Sequence, residues 1–215
     1  MPYSLAVFDL DGTILDTLED LRDSVNFSLE RFHMPRRSLD EIRCFVGNGI
    51  RKLVLLAVPE NTDPDTADAV FECFREHYLK FAAVKTKPYP KIPEVLKELK
   101  RMQIRTAVFS NKADAVVQNL CSFYFPGLFD TCRGEREGFR RKPFPDVIYD
   151  LQKTFSVSKK EILYIGDSDV DAMTARNAGV DLLLVDWGFR DRDTLLSLHT
   201  GKVIHRPEDI LLEFR

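Results

Sequence analysis

The sequence predicts an α/β fold: a doubly wound parallel sheet with an inserted α-helical domain. Three observations carry this. Four short runs, "SLAVFDL", "IRTAVFS", "EILYIGD" and "VDLLLVD", are apolar almost throughout and each ends in a polar residue. Strands buried on both faces of a parallel sheet have that pattern. Helical patterns alternate with the later runs, which implies βαβ units. Between the first two runs, from about Asp16 to Phe81, the chain reads mainly as helix, too much for one crossover.

Each element follows from its own residues. After the first run, "LEDLRDSVNFSLERF" places Leu18, Leu21, Val25, Leu29 and Phe32 on one helical face. Ser38 to Glu41, "SLDE", is a capping box that opens the helical stretch "IRCFVGNGIRKLVLLAV". Pro59 and Pro64 bracket a loop, and "TADAVFECFREHYLKF" follows as a helix. "PEVLKELKRM", with Pro93 suited to a first helical turn, precedes the second run, and "ADAVVQNLCSFY" follows it. "PDVIYDLQKTF" precedes the third run, and "DVDAMTARNAG" follows, stopped by Gly179. Residues 1–15 and 83–215 are expected to form the sheet domain, and 16–82 the helical one.

Composition narrows the class. A 215-residue chain with 44% hydrophobic and 30% charged residues buries a substantial core. Its net charge of −3 gives no electrostatic reason to expect nucleic acid or an anionic membrane. No apolar run approaches the ~20 residues of a membrane span, and the N-terminus lacks a signal-peptide pattern. Cys44, Cys73, Cys121 and Cys132 form no CxxC pair and read as reduced thiols. A cytoplasmic location, as monomer or homodimer, is expected. His33, His77, His199 and His205 are scattered, and there is no HExxH.

The chemistry lies at the ends of the runs. Asp9 and Asp11 stand two residues apart where the first run stops, and they share a side if strand geometry persists. Ligands of open α/β sheets bind at this carboxyl edge. Asp11–Gly12 gives a sharp turn that lets backbone N–H groups approach an anion. The second run ends in Ser110, Asn111 and Lys112, and the third in "GDSDVD", with Asp167, Asp169 and Asp171. Between them Lys142 precedes a proline, while Arg140 and Arg141 read as a solvated loop. The spacing Asp167, Asp169, Asp171 mimics an EF-hand opening, but Ala172 and Ala178 stand where that loop needs Gly and Glu. Ser168 or Asp169 serves as the cap of the following helix. There is no GxxxxGK, and a His-based serine triad has no support.

"DLDGT", the Ser110 run end, Lys142 with its proline, and "GDSDVD" resemble, in order, the four motifs of the haloacid dehalogenase superfamily. The helical insertion resembles that family's C1 cap, and the DxDGT form its phosphotransferases. Within the superfamily, "ILDTLEDLRDSVNFSLE", "VGNGIRKLV" and "VDWGFRD" resemble segments of phosphoglycolate phosphatases. The resemblance implies a Rossmann-like core and a Mg2+-dependent phosphatase for a small phosphomonoester, 2-phosphoglycolate foremost. Pyrophosphate, a nucleotide or a sugar phosphate are the alternatives.

The resemblance also implies roles. Asp9 is the nucleophile, and Asp11 the general acid and then base. Asp9, the backbone carbonyl of Asp11, and Asp167 are the Mg2+ ligands, with Asp171 orienting a metal-bound water. Ser110 and Lys142 hold the phosphoryl oxygens, with the N–H groups of Gly12 and Asn111, and Thr13 supports the turn. The cap closes over the site, and Gly47, Asn48, Gly49 and Arg51 meet the leaving portion. Mutases of the β-phosphoglucomutase type carry a His shortly after the "DT" pair, and this chain has none between Thr17 and Phe32. A non-catalytic binding module would have lost a nucleophile or a metal carboxylate, and all are present.

Overall fold

The computed structural model describes residues Tyr3–Arg215. The chain divides into two compact units, one formed by the stretch up to Leu15 together with Pro88–Arg215, the other by Asp16–Lys87. The chain leaves the first unit through β2 (Leu15–Asp16) and returns through β3 (Lys87–Pro88).

The first unit is an α/β domain around a six-stranded, wholly parallel sheet. Its strands are β1 (Leu5–Phe8), β4 (Arg105–Ala113), β5 (Thr131–Glu135), β6 (Ile162–Gly166), β7 (Asp181–Val185) and β8 (Lys202–Ile204). The order across the sheet is β5-β4-β1-β6-β7-β8, the doubly wound arrangement that reverses direction beside the first strand. The four apolar runs are β1, β4, β6 and β7. The sequence reading missed β5 and β8, the two edge strands. "TCRGE" and "KVI" are short and partly polar because an edge strand has only one neighbour to satisfy.

Crossover helices cover the sheet: α5 (Ile92–Arg101), α6 (Asp114–Tyr124), α7 (Asp146–Phe155), α8 (Asp169–Ala178) and α9 (Arg192–Ser197). On one face, Val147, Ile148 and Leu151 of α7 and Ala175 and Ala178 of α8 pack on Leu5, Val7, Ala107, Phe109, Ile162 and Tyr164. α5 and α6 pack on β4. Gly179 ends α8 in the left-handed conformation.

The second unit holds α1 (Leu18–Arg31), α2 (Leu39–Phe45), α3 (Ile50–Ala57) and α4 (Pro64–Phe81). Leu18, Leu21, Val25 and Leu29 are buried as their spacing requires, while Phe32 is half-buried. Ser38 accepts from the Glu41 N–H, and Glu41 accepts from the Ser38 N–H, completing the capping box. One expectation fails here. The stretch after that box is two helices rather than one. Gly47 (φ 124°) and Gly49 (φ 83°) take left-handed backbone that breaks the helix between Phe45 and Ile50. Pro64 closes the loop that begins at Pro59 and opens α4, and Asp63 caps it by accepting from the Thr66 N–H. The unit runs on to Lys87 because the buried carboxylate of Asp20 accepts from the N–H groups of Val84, Lys85 and Thr86. All four cysteines are free thiols. Among the described residues, no helix is long and apolar enough to cross a membrane.

Candidate active site

Register assembles the site. Phe8 lies level with Val108 of β4 and Ile165 of β6. Asp9 therefore emerges where the ladders of β1 with both neighbours stop, and its N–H still donates to the Ile165 carbonyl at 2.8 Å. Ser110 and Asp167 follow one residue beyond its neighbours, and both are buried. The carboxylates of Asp9, Asp167 and Asp171 each offer an oxygen within 4.8 Å of the others. The Lys142 ammonium lies 2.7 Å from both Asp9 Oδ1 and Asp171 Oδ1.

The supporting contacts differ for each group. Lys142 is set by Asn111, whose side chain accepts from the Lys142 N–H at 2.7 Å and donates to its carbonyl at 3.2 Å. The Lys142–Pro143 peptide is cis. Asp167 accepts from the Thr13 hydroxyl and, at 2.7 Å, from the Phe189 N–H. Asp171 accepts from Lys142 and the Tyr164 hydroxyl on one oxygen, and from the Ser168 N–H and hydroxyl on the other. Ser168, not Asp169, caps α8.

The strand geometry assumed for Asp9 and Asp11 ends at Phe8. A tight turn follows, in which the N–H groups of Ile14 and Leu15 both donate to the Leu10 carbonyl. Gly12 sits at φ 84°. The Asp11 carboxylate consequently lies outside the group of three, held by a different lysine. Lys112 donates to both its oxygens, at 2.7 and 3.0 Å. Arg140 is exposed and paired with Asp146.

Gly47, Asn48, Gly49 and Arg51 belong to the helical unit. The Arg51 guanidinium pairs there with Asp68 and lies over the Phe71 ring at 5.3 Å.

Burial and mutual repulsion dominate the electrostatics. Asp9 is pushed well above the ordinary carboxylate range by burial. Lys142 opposes that shift, while Asp171 and Asp167 add to it. Asp167 is raised to about 7, again by burial first and then by Asp171. Burial works against the charge of Lys142, yet Asp171 and Asp9 hold its ammonium well above its usual range. Three buried carboxylates thus cluster where one ammonium pairs with two of them. A divalent cation bound by oxygen donors would balance the excess, and the donor set suits a hard ion of that kind.

Several contacts of the site are not assigned to a residue by the sequence, although "VDWGFRD" holds two of them. The Tyr164 hydroxyl sits in an apolar strand, and the Phe189 donor is backbone. Gly188 is required by close approach, since a side-chain carbon there would overlap Asp167 and the Gly12 carbonyl. Gly188→Ala is expected to lower stability by about 1–3 kcal/mol through overpacking, or about 2–12 °C in melting temperature for a chain of this size. Thermal denaturation of the variant beside the wild type checks this.

Comparisons with known proteins agree with this geometry. The sequence profile of the haloacid dehalogenase-like hydrolases matches residues 6–185. The phosphoglycolate phosphatase of Aquifex aeolicus is 28% identical over 206 residues, covering 95% of this chain and 93% of that protein. The phosphoglycolate phosphatase of Pseudomonas syringae pv. tomato is 32% identical over 205 residues, covering 93% of this chain and 75% of that protein. The crystal structure of a candidate phosphoglycolate phosphatase from Lactobacillus delbrueckii subsp. bulgaricus superposes with a TM-score of 0.93 at 33% identity, covering 98% of this chain and 97% of that one. With the parallel core, the inserted helices and the acidic cluster at the strand ends, the chain belongs to the haloacid dehalogenase-like hydrolases, as an enzyme of their phosphoglycolate phosphatase-like group.

Proposed function

We propose that the chain is a Mg2+-dependent phosphatase of a small phosphomonoester, with 2-phosphoglycolate as substrate. The observation that carries the reading is the convergence of Asp9, Asp167 and Asp171 around Lys142 at the carboxyl edge of the sheet. In the proposed reaction an Asp9 oxygen attacks phosphorus in line and the bond to the leaving oxygen breaks, giving an aspartyl-phosphate. Asp11 gives its proton to the leaving alkoxide. It then takes a proton from the water that cleaves the acyl phosphate and releases inorganic phosphate. Lys142 and Ser110 hold the transferring phosphoryl oxygens, joined by the N–H groups of Gly12 and Asn111. Asp9, the Asp11 carbonyl and Asp167 would hold Mg2+, with Asp171 positioning its water. When bound, the ion supplies charge neutralisation and keeps the nucleophile ionised. Thr13 contributes through its hydrogen bond to Asp167. The contribution of the helical unit is proposed at Gly47, Asn48, Gly49 and Arg51, for recognition of the leaving portion.

Phosphate release from a panel of phosphorylated metabolites, with and without EDTA, tests the reading. The highest kcat/KM is expected on 2-phosphoglycolate. A higher value on pyrophosphate, a nucleotide or a sugar phosphate would move the substrate within the same chemistry. No release from any monoester in the presence of Mg2+ would sink the proposal.

A further inference from the structure

We propose that Lys112 determines specificity: its ammonium binds a carboxylate that the substrate carries one carbon from the leaving oxygen, and in doing so releases Asp11. This rests on the phosphatase reading above, with Asp11 as the proton donor.

Lys112 lies near the end of β4, where the register with β5 shifts, two residues beyond Ser110, and its N–H donates to the Ser110 hydroxyl at 3.2 Å. Its side chain is 2% exposed, while that of Asp11 is 15% exposed. The ammonium donates to both oxygens of Asp11. Such a pair holds Asp11 firmly, because removing one partner from a buried ion pair strands the other. It also holds Asp11 in the wrong place for catalysis. To protonate a leaving oxygen, Asp11 must present one of the two oxygens that Lys112 occupies.

The exchange resolves this if the substrate brings its own anion. In a phosphomonoester of an α-hydroxy acid, the carboxylate is attached one carbon from the leaving oxygen. When that oxygen faces Asp11, the carboxylate stands beside Asp11 by covalent geometry alone. The ammonium it meets is already 2.7 Å from Asp11. Lys112 trades one carboxylate for another and remains paired, while Asp11, no longer held as an anion, takes a proton from water and turns to the leaving oxygen. A neutral alcohol offers nothing in return, so Asp11 stays held. The residue thus favours carboxylated substrates from within the sheet domain. Arg51, by contrast, already has Asp68 as a partner in the helical unit.

The experiment compares kcat/KM on 2-phosphoglycolate and on ethyl phosphate, in which a methyl group stands in place of the carboxylate. Wild type, Lys112→Met, Lys112→Gln, Lys112→Arg and Arg51→Ala are measured with Mg2+. Both neutral Lys112 variants are expected to lose about 10- to 150-fold on 2-phosphoglycolate, the value of a charge-assisted hydrogen bond, and to show no loss on ethyl phosphate, where Lys112→Met should raise activity because Asp11 is no longer held. Lys112→Arg is expected to retain the preference for the carboxylated substrate. Lys112→Gln keeps a donor for Asp11 and serves if Lys112→Met does not fold. Equal losses on both substrates would show that Lys112 only positions Asp11 or the strand, and would overturn the proposal. So would no loss on either, or a preference lost in Arg51→Ala and kept in the neutral Lys112 variants. A wild type inactive on both substrates would instead remove the phosphatase reading, and this inference with it.

Discussion

Asp9→Asn is expected to reduce turnover by about 10⁴-fold or more, the scale on which removing a covalent nucleophile acts. The amide keeps the shape of the carboxylate and the contact with Lys142, so substrate is expected to bind still. It cannot form the acyl phosphate. Substrate labelled in its phosphoryl group should leave label on denatured wild-type protein quenched during turnover, and none on the variant. Stability is expected to move in the opposite direction from activity. Asp9 is buried beside Asp171 and Asp167, and its ionised form is disfavoured for that reason. Taking one negative charge from a crowded group relieves repulsion, so the metal-free variant should melt no lower than the metal-free wild type. A variant that turns over at near wild-type rate would remove Asp9 from the reaction. One that melts far lower would make the loss of activity a folding defect.

Chelation of divalent cations is expected to bring activity to background, and Mg2+ to restore it. The binding itself has a separate readout. A ligand at 100 times its dissociation constant stabilises the folded state by about 2.7 kcal/mol, which for a chain of this size is about 5–11 °C in melting temperature. Mg2+ should therefore raise the melting temperature of the chelated protein, and Asp167→Asn should abolish the rise. Ca2+ should also stabilise but support turnover poorly, because it takes more ligands in looser geometry. Full activity in EDTA, or a melting temperature indifferent to Mg2+, would contradict the reading of the acidic cluster.

The parts of this site that were legible in the sequence are those where side-chain type and strand end coincide. Asp9, Ser110 and Asp167 each follow an apolar run, and parallel register does the rest. The edge strands were not legible, since β5 and β8 lack the two-sided burial that makes an apolar run. The helix break at Gly47 and Gly49 was present as two glycines, but the apolar pattern ran through them. The pairing of Asp11 with Lys112 spans 101 residues, and no local pattern announces it. Tyr164 reads as one more apolar strand residue, and only its hydroxyl bond to Asp171 sets it apart. The Phe189 donor is a backbone group, which every residue but proline possesses.

The central position of β1 has a consequence for how the protein is made. It leaves the ribosome before the other described strands, yet its neighbours begin level with Arg105 and Ile162. At about 5–20 residues per second, β1 spends several seconds as an apolar segment with no partner for either edge. The helical unit, Asp16–Lys87, is synthesised entirely within that interval. Its buried contacts lie within its own stretch of chain, so it can fold while β1 waits. The candidate cation site forms late in synthesis, because Thr13 and Asp167, which hydrogen-bond there, are 154 residues apart. A metal ion cannot nucleate this fold. It can only bind once β6 has docked beside β1, which would make metal binding a signal that the central strands of the core are paired.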